Sequence, residues 1–208
     1  MKVTRLAIAL AASAALAACA TTPRAGPAQV VSFVATDAGA AQALGQGTIF
    51  VETAPGIDGD SLQISRYKAA VARELVALGY TEAPRDQASQ IAQVRVDRLV
   101  DAPRERRRGP VSVGVGGSTG SFGSGVGLGL GINLGGNGPR EIVDTQIGVM
   151  IRDRASMDTL WEGRAGFEAD ARSALAETTA SADALAAALF APFPGATDEP
   201  IIVDLENQ

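Results

Sequence analysis

Apolar positions recur along this chain with periods that predict most of its elements. Tyr67, Val71, Leu75 and Leu78 fall at i, i+4, i+8 and i+11, one face of a helix predicted from Asp58 to Gly79. Arg66, Lys68, Arg73 and Glu74 lie largely off that stripe. Asp60 or Ser61 suits the N-cap, where a side-chain oxygen accepts from an orphan amide. Gly79 stands where a left-handed residue closes a helix. Elsewhere the period drops to two, which is strand geometry. Val30 to Val34 and Thr48 to Glu52 predict two strands, the second ended by Pro55-Gly56. In Ile91 to Val100, Val94, Val96 and Val100 face one way and Arg95, Asp97 and Leu99 the other, as in a half-buried strand. Thr145, Ile147, Val149 and Ile151 alternate along the next strand, and Asp153 to Asp158 supplies a turn. The return strand opens at Leu160-Trp161-Glu162-Gly163 and sets Trp161, Ala165 and Phe167 on one face. An alanine- and leucine-rich helix from Ser181 to Phe190 is stopped by Pro192-Phe193-Pro194-Gly195. Ile201-Ile202-Val203 fits a short last strand.

Residues 109–138 hold 13 glycines in 30 positions. Low-complexity disorder is one reading of such a tract. The register favours another: Gly123, Gly125, Gly127, Gly129 and Gly131 take odd positions, and Val126, Leu128, Leu130, Ile132 and Leu134 take even ones. A hairpin within 111–134 with one aliphatic face and one nearly bare face is expected. Interior glycines cost roughly 0.5–1 kcal/mol each relative to alanine, so five in register point to close approach by another group, with drift in a tolerant, exposed hairpin as the alternative.

These elements predict an α+β fold. The expectation is a single antiparallel or mixed sheet of about five to seven strands, glycine-rich hairpin included, with helices 59–79 and 180–190 packed largely on one face.

The N-terminus changes the picture. Lys2 and Arg5 precede an apolar run from Leu6 to Ala17, too short for a stable membrane-crossing helix. Leu16-Ala17-Ala18-Cys19 follows and resembles the lipobox of bacterial lipoproteins. That resemblance implies cleavage between Ala18 and Cys19, and lipid on Cys19, the only cysteine of the chain. An ordinary secretory signal with a chance cysteine is the alternative. The expected organisation is a signal peptide over 1–18, a lipidated tether over 19–28 and one periplasmic domain over 29–208. Removing Lys2 and Arg5 takes the net charge from −5 to −7. So acidic a chain is not built to neutralise nucleic-acid phosphates. With Cys19 lipidated, no intramolecular disulfide forms, and the core alone holds the fold.

Histidine is absent, which removes the commonest general base and the commonest metal ligand. With no free thiol either, zinc sites and Cys/His nucleophiles are not expected, and no cofactor is called for. Gly116-Gly117-Ser118-Thr119-Gly120 matches G-x-S-x-G, but strand pattern follows it where a nucleophile elbow needs a helix. A Ser–Lys pair would need Lys68, on the exposed side of its helix. The glycines at 125, 127 and 129 lack the following helix that a phosphate loop requires. Asp97 with Asp101, or Glu162 with Glu168, could be catalytic pairs only in the sense that any two acids could. Arg104, Arg106, Arg107 and Arg108 could hold phosphate head groups, and suit a solvated loop equally well.

The order of parts resembles a known family. A lipobox precedes a helix ending in Gly79-Tyr80, a strand near Ile91 to Val96, a glycine-rich middle, Leu160-Trp161-Glu162-Gly163, and a helix ending in Phe193-Pro194. This resembles the bacterial lipoprotein family known as domain of unknown function 4136, over roughly residues 30–203. Its best motif is Leu-Trp-x-Gly at 160–163. The chain departs from that pattern in carrying Ser89-Gln90 where an aspartate tends to open the strand. The resemblance implies an envelope lipoprotein with a compact α+β domain and brings no catalytic residues. The expected role is therefore non-catalytic, structural or in protein interaction, with an envelope protein as possible partner and no nucleic acid or metal. The alternative is a periplasmic binding domain for a small or lipidic ligand. Ala20, where aspartate would retain many Gram-negative lipoproteins at the inner membrane, implies the periplasmic face of the outer membrane.

Overall fold

The computed structural model describes residues 24–36, 38–57, 59, 61–101, 114–120, 123–129, 141–197 and 199–205. In chain order the elements are β1 (Ala28–Val34), α1 (Ala38–Ala43), β2 (Thr48–Thr53), α2 (Leu62–Ala77), β3 (Thr81–Glu82), β4 (Gln90–Asp101), β5 (Gly114–Gly120), β6 (Gly123–Gly129), β7 (Ile142–Asp153), β8 (Thr159–Asp170), α3 (Thr178–Phe190) and β9 (Ile201–Val203). Seven strands form one mixed sheet in the order β3-β2-β4-β7-β8-β1-β9. β2 runs parallel to β3 and β4, and the other pairs are antiparallel. This is the expected α+β fold.

The helix predicted from Asp58 starts later, at Leu62. Ser61 is its N-cap, with its hydroxyl accepting from the Ile64 amide at 3.2 Å. Its end is a Schellman motif: the Tyr80 amide donates to Leu75 O and the Gly79 amide to Val76 O, both at 3.1 Å. Gly79 has φ 108°, and a Cβ there would meet Gly45 O at 2.7 Å. No other residue fits both demands. Tyr67, Val71 and Leu75 are fully buried, joined by Ile64 and Ala70, while Leu78 is half-buried at the stripe's end.

β7 and β8 form the long central hairpin. Asp153 holds its turn, with Oδ1 accepting from the amides of Ala155 at 2.8 Å and Ser156 at 2.9 Å. The Ser156 bond first, and the others after it, outweigh desolvation and hold that carboxyl below its ordinary value. Val143, Thr145, Ile147, Val149 and Ile151 are buried toward the helices. α3 lies across β8, β1 and β7, and α2 across β2 and β4. The helices are tied by a Tyr67–Ser181 hydroxyl contact of 2.8 Å and an Arg73–Asp183 ion pair.

Part of the expected tether, residues 24–28, is among the described residues. Ala25 bridges Ala169, and the Gly26 amide donates to Glu168 O at 2.7 Å, so residues 24–28 lie along β8. α1 and β3 were not visible as patterns in the sequence. Gly114–Gly120 and Gly123–Gly129 pair antiparallel as a separate two-stranded sheet. The expected burial of an aliphatic Val126–Leu134 face falls outside the described residues. So do Ala18, Cys19 and the arginines at 104–108.

Candidate functional site

Trp161 is fully buried at the centre of the covered face. Its ring stacks on Phe190 at 5.4 Å and meets Phe193 edge-on at 5.5 Å. Phe193 also touches Phe190 and Tyr80, at 5.8 and 6.4 Å. Gly163 follows because the indole lies over it: a Cβ there would sit 2.2 Å from the Trp161 ring and 2.9 Å from Leu189. The Leu-Trp-x-Gly motif is thus a packing motif. Tyr80 donates from its hydroxyl to Gln90 Oε1 at 3.0 Å, and Gln90 Nε2 donates to Ala43 O at 2.8 Å. Burial pushes the Tyr80 hydroxyl up to about 12. These polar groups are satisfied within the core and have no chemistry to spare.

The opposite face carries no helix among the described residues. The register sets its side chains in rows. One row runs Glu52, Gln93, Met150, Glu162, Phe33 across β2, β4, β7, β8 and β1. The next runs Arg95, Gly148, Arg164, Val31. A third runs Asp97, Gln146, Gly166, Gln29, Ile202. Arg95 Nε donates to Asp97 Oδ2 at 2.9 Å, and Arg164 donates twice to Glu162 Oε1, at 3.0 and 2.7 Å. Burial alone would raise the Glu52 carboxyl. Hydrogen bonds from Arg85 at 2.8 Å and Gln93 at 3.0 Å, with the Arg85 charge, outweigh it and hold Glu52 below its ordinary value.

Gly148 is the low point of this face. The nearest atom to a Cβ there is Gly163 O at 4.0 Å, from the strand beside it. Two guanidiniums therefore flank a floor of bare backbone. Each is held by a carboxylate on its own strand, so the site is charge-balanced and shallow. It can present N–H donors to an acceptor or let a flat group approach the sheet. Sequence reasoning placed Arg95 on the polar side of its strand but missed this notch. The signal was available: Gly148 interrupts the polar phase of an otherwise alternating strand.

The tempting catalytic residues are not brought together. Ser118 lies within β5, paired with Gly125, and not at a strand-to-helix turn. Lys68 is half-buried on α2. Asp97 pairs with Arg95, and Glu162 with Arg164. Glu162 and Glu168 both face the open side of β8, six residues apart along the strand. No helix among the described residues is long and apolar enough to cross a membrane.

Among solved structures, a PDZ domain protein from Parabacteroides distasonis is similar, with TM-score 0.52 and 15% identity over 88% of this chain. The chain spans 39% of that protein's length. A PelC dodecamer from Paraburkholderia phytofirmans is similar at TM-score 0.41 and 14% identity, over 82% of this chain and 99% of that one. At these identities the first likeness concerns the fold alone. No curated protein matches the sequence. Residues 34–195, which hold every strand of the sheet between β2 and β8 and both main helices, match the model of the family described as domain of unknown function 4136 (DUF4136), and the chain belongs to that family.

Proposed function

We propose that this chain is a lipid-anchored envelope lipoprotein whose domain is a non-catalytic interaction module, working through the uncovered face of its sheet. The observation that carries the reading is that the described residues cover the seven strands on one side only. Helices seal one face around Trp161, while the other presents Arg95, Gly148, Arg164 and Gln146 to solvent. Antiparallel sheets commonly leave a face solvated, and a face that is polar, charge-balanced and notched suits a reversible partner better than a permanent one. The anchor is the lipid on Cys19, and the location is the periplasmic face of the outer membrane. Each buried acyl CH₂ contributes ~0.8 kcal/mol, so several chains on one cysteine hold the protein there.

Two experiments test the reading. Cys19→Ser should block lipidation and processing, and a variant that still fractionated as mature membrane-bound protein would end the anchor reading. A photo-crosslinker at Gln146 should capture an envelope protein in cells, while one at Arg66 on the outer side of α2 should not. Equal capture from both sites would remove the open face from the argument.

The Gly148 notch favours a second reading, a binding domain for a small anionic ligand. A carboxylate or phosphate over Gly148 would take N–H donors from Arg95 and Arg164. Titration with acetate and inorganic phosphate, read at the Gly148 amide, separates the two readings. A saturable shift lost in Arg95→Gln supports the ligand, and none supports the protein surface.

A further inference from the structure

The start of the described chain and the end of β4 meet at one end of the sheet. The Asp170 amide donates to Arg24 O at 3.0 Å, and Ala25 bridges Ala169. From there the register crosses to the tip of β4, through Ala169–Val143–Val100 and Glu168–Asp144–Leu99. Arg24 is five residues from Cys19. At ~3.3–3.6 Å per residue, a lipid on Cys19 is held within roughly 18 Å of this end. Leu99 stands three strand spacings from the chain at Ala25, about 14 Å at ~4.8 Å each.

Leu99 is 69% exposed and Val100 56% exposed. Consecutive strand residues point to opposite faces, so the tip of β4 is apolar on both sides and, among the described residues, covered on neither. A lone exposed leucine is ordinary. An apolar pair straddling a strand end, beside the attachment point of a lipid, needs a different environment from bulk water.

We propose that this end of the sheet faces the lipid bilayer, with Leu99 and Val100 lying in its interfacial layer. The inference rests on the lipobox reading above. The occupant follows from the tether, which keeps this end within roughly 18 Å of the lipid's attachment point whatever else binds. Arg24, Glu141 and Arg172 share the end, so the described residues offer the surface apolar contact flanked by charges of both signs. The open face with Gly148 then stands perpendicular to the bilayer and accessible from the side.

The lone native cysteine makes the test clean, because lipidation consumes its thiol. The mature lipoprotein, its lipid confirmed by mass, carries Leu99→Cys or Ser156→Cys labelled with a fluorophore. It is reconstituted in phosphatidylethanolamine–phosphatidylglycerol vesicles containing lipid with a nitroxide head group. Ser156 lies in the β7–β8 turn, about 36 Å from the Ile142 end at ~3.3 Å per residue. Quenching at position 99 should exceed that at 156 by about fivefold or more, since interfacial contact reaches only ~5–10 Å. Equal or reversed quenching overturns the proposal, and so does an unquenched position 99 covered by another part of the chain. A chain whose mass shows no lipid sinks the anchor reading and this one together. A lipidated chain with position 99 dark to the quencher sinks this one alone.

Discussion

Gly163 and Gly148 lie on neighbouring strands, one register step apart, and look in opposite directions. A Cβ on Gly163 would sit 2.2 Å from the Trp161 ring; a Cβ on Gly148 would find nothing nearer than a carbonyl oxygen at 4.0 Å. The first glycine is imposed by packing. The second is not imposed by the fold at all. The contrast extends to the two faces they belong to, for on one side a residue's identity is dictated by its neighbours inside the molecule. On the other it is free to be set by something outside.

The largest expected effect breaks the covered side. Trp161→Ala removes the ring that Phe190 and Phe193 pack against and should cost about 3–5 kcal/mol in denaturant unfolding. A loss under about 1 kcal/mol would mean that the aromatic cluster is not the core. Leu75→Ala on the α2 stripe should cost roughly 2–5 kcal/mol, and a change below half a kilocalorie would place that stripe at the surface.

The pair of glycines sharpens the comparison. Gly163→Ala overpacks the indole and should destabilise by about 1–3 kcal/mol. Gly148→Ala meets open space and should change stability by less than about 0.5 kcal/mol, or raise it slightly by restricting the unfolded chain. Similar losses in both variants, measured side by side, would show that the open face is covered in solution.

The smallest effect is in pH. Glu52 is held below its ordinary carboxyl value, so between its folded value and its higher unfolded value the unfolded chain binds more protons than the folded one. Its contribution is complete above that unfolded value and fades as pH falls through the folded one. Arg85→Ala should flatten that part of the acid-side stability curve by lowering neutral-pH stability about 0.2–1 kcal/mol, the range for an exposed pair, with no loss in strong acid. A steeper acid-side loss in the variant would reverse the assignment.

The central hairpin and α2 were legible in the sequence because one-sided burial imposes a period. Thr145 to Ile151 had to alternate, and Tyr67 to Leu75 had to return every fourth residue. β3 has two residues and α1 six, lengths at which no period accumulates. The predicted start of α2 lies a few residues early because Asp60 and Ser61 are competing cap candidates, and Ser61 takes the Ile64 amide on its hydroxyl. Pattern could also not reveal why Gly163 follows Trp161, since that reason is a ring lying over a strand. The notch at Gly148 escaped for the opposite reason: polar-phase positions answer to no internal neighbour, so a glycine there reads as noise until registers align Arg95 and Arg164 beside it.

The two borders of the sheet are its shortest strands, β3 with two residues and β9 with three, and Pro200 stands directly before the second. An exposed strand border is a template on which another chain can crystallise into fibrils, and its danger grows with length and with crowding. Molecules tethered in a plane meet one another far more often than molecules in free solution. For a domain anchored as proposed above, stubby borders give a tolerance for high density, and lengthening β9 by replacing Pro200 and Asp204 with valine should convert a dispersed protein into an aggregating one.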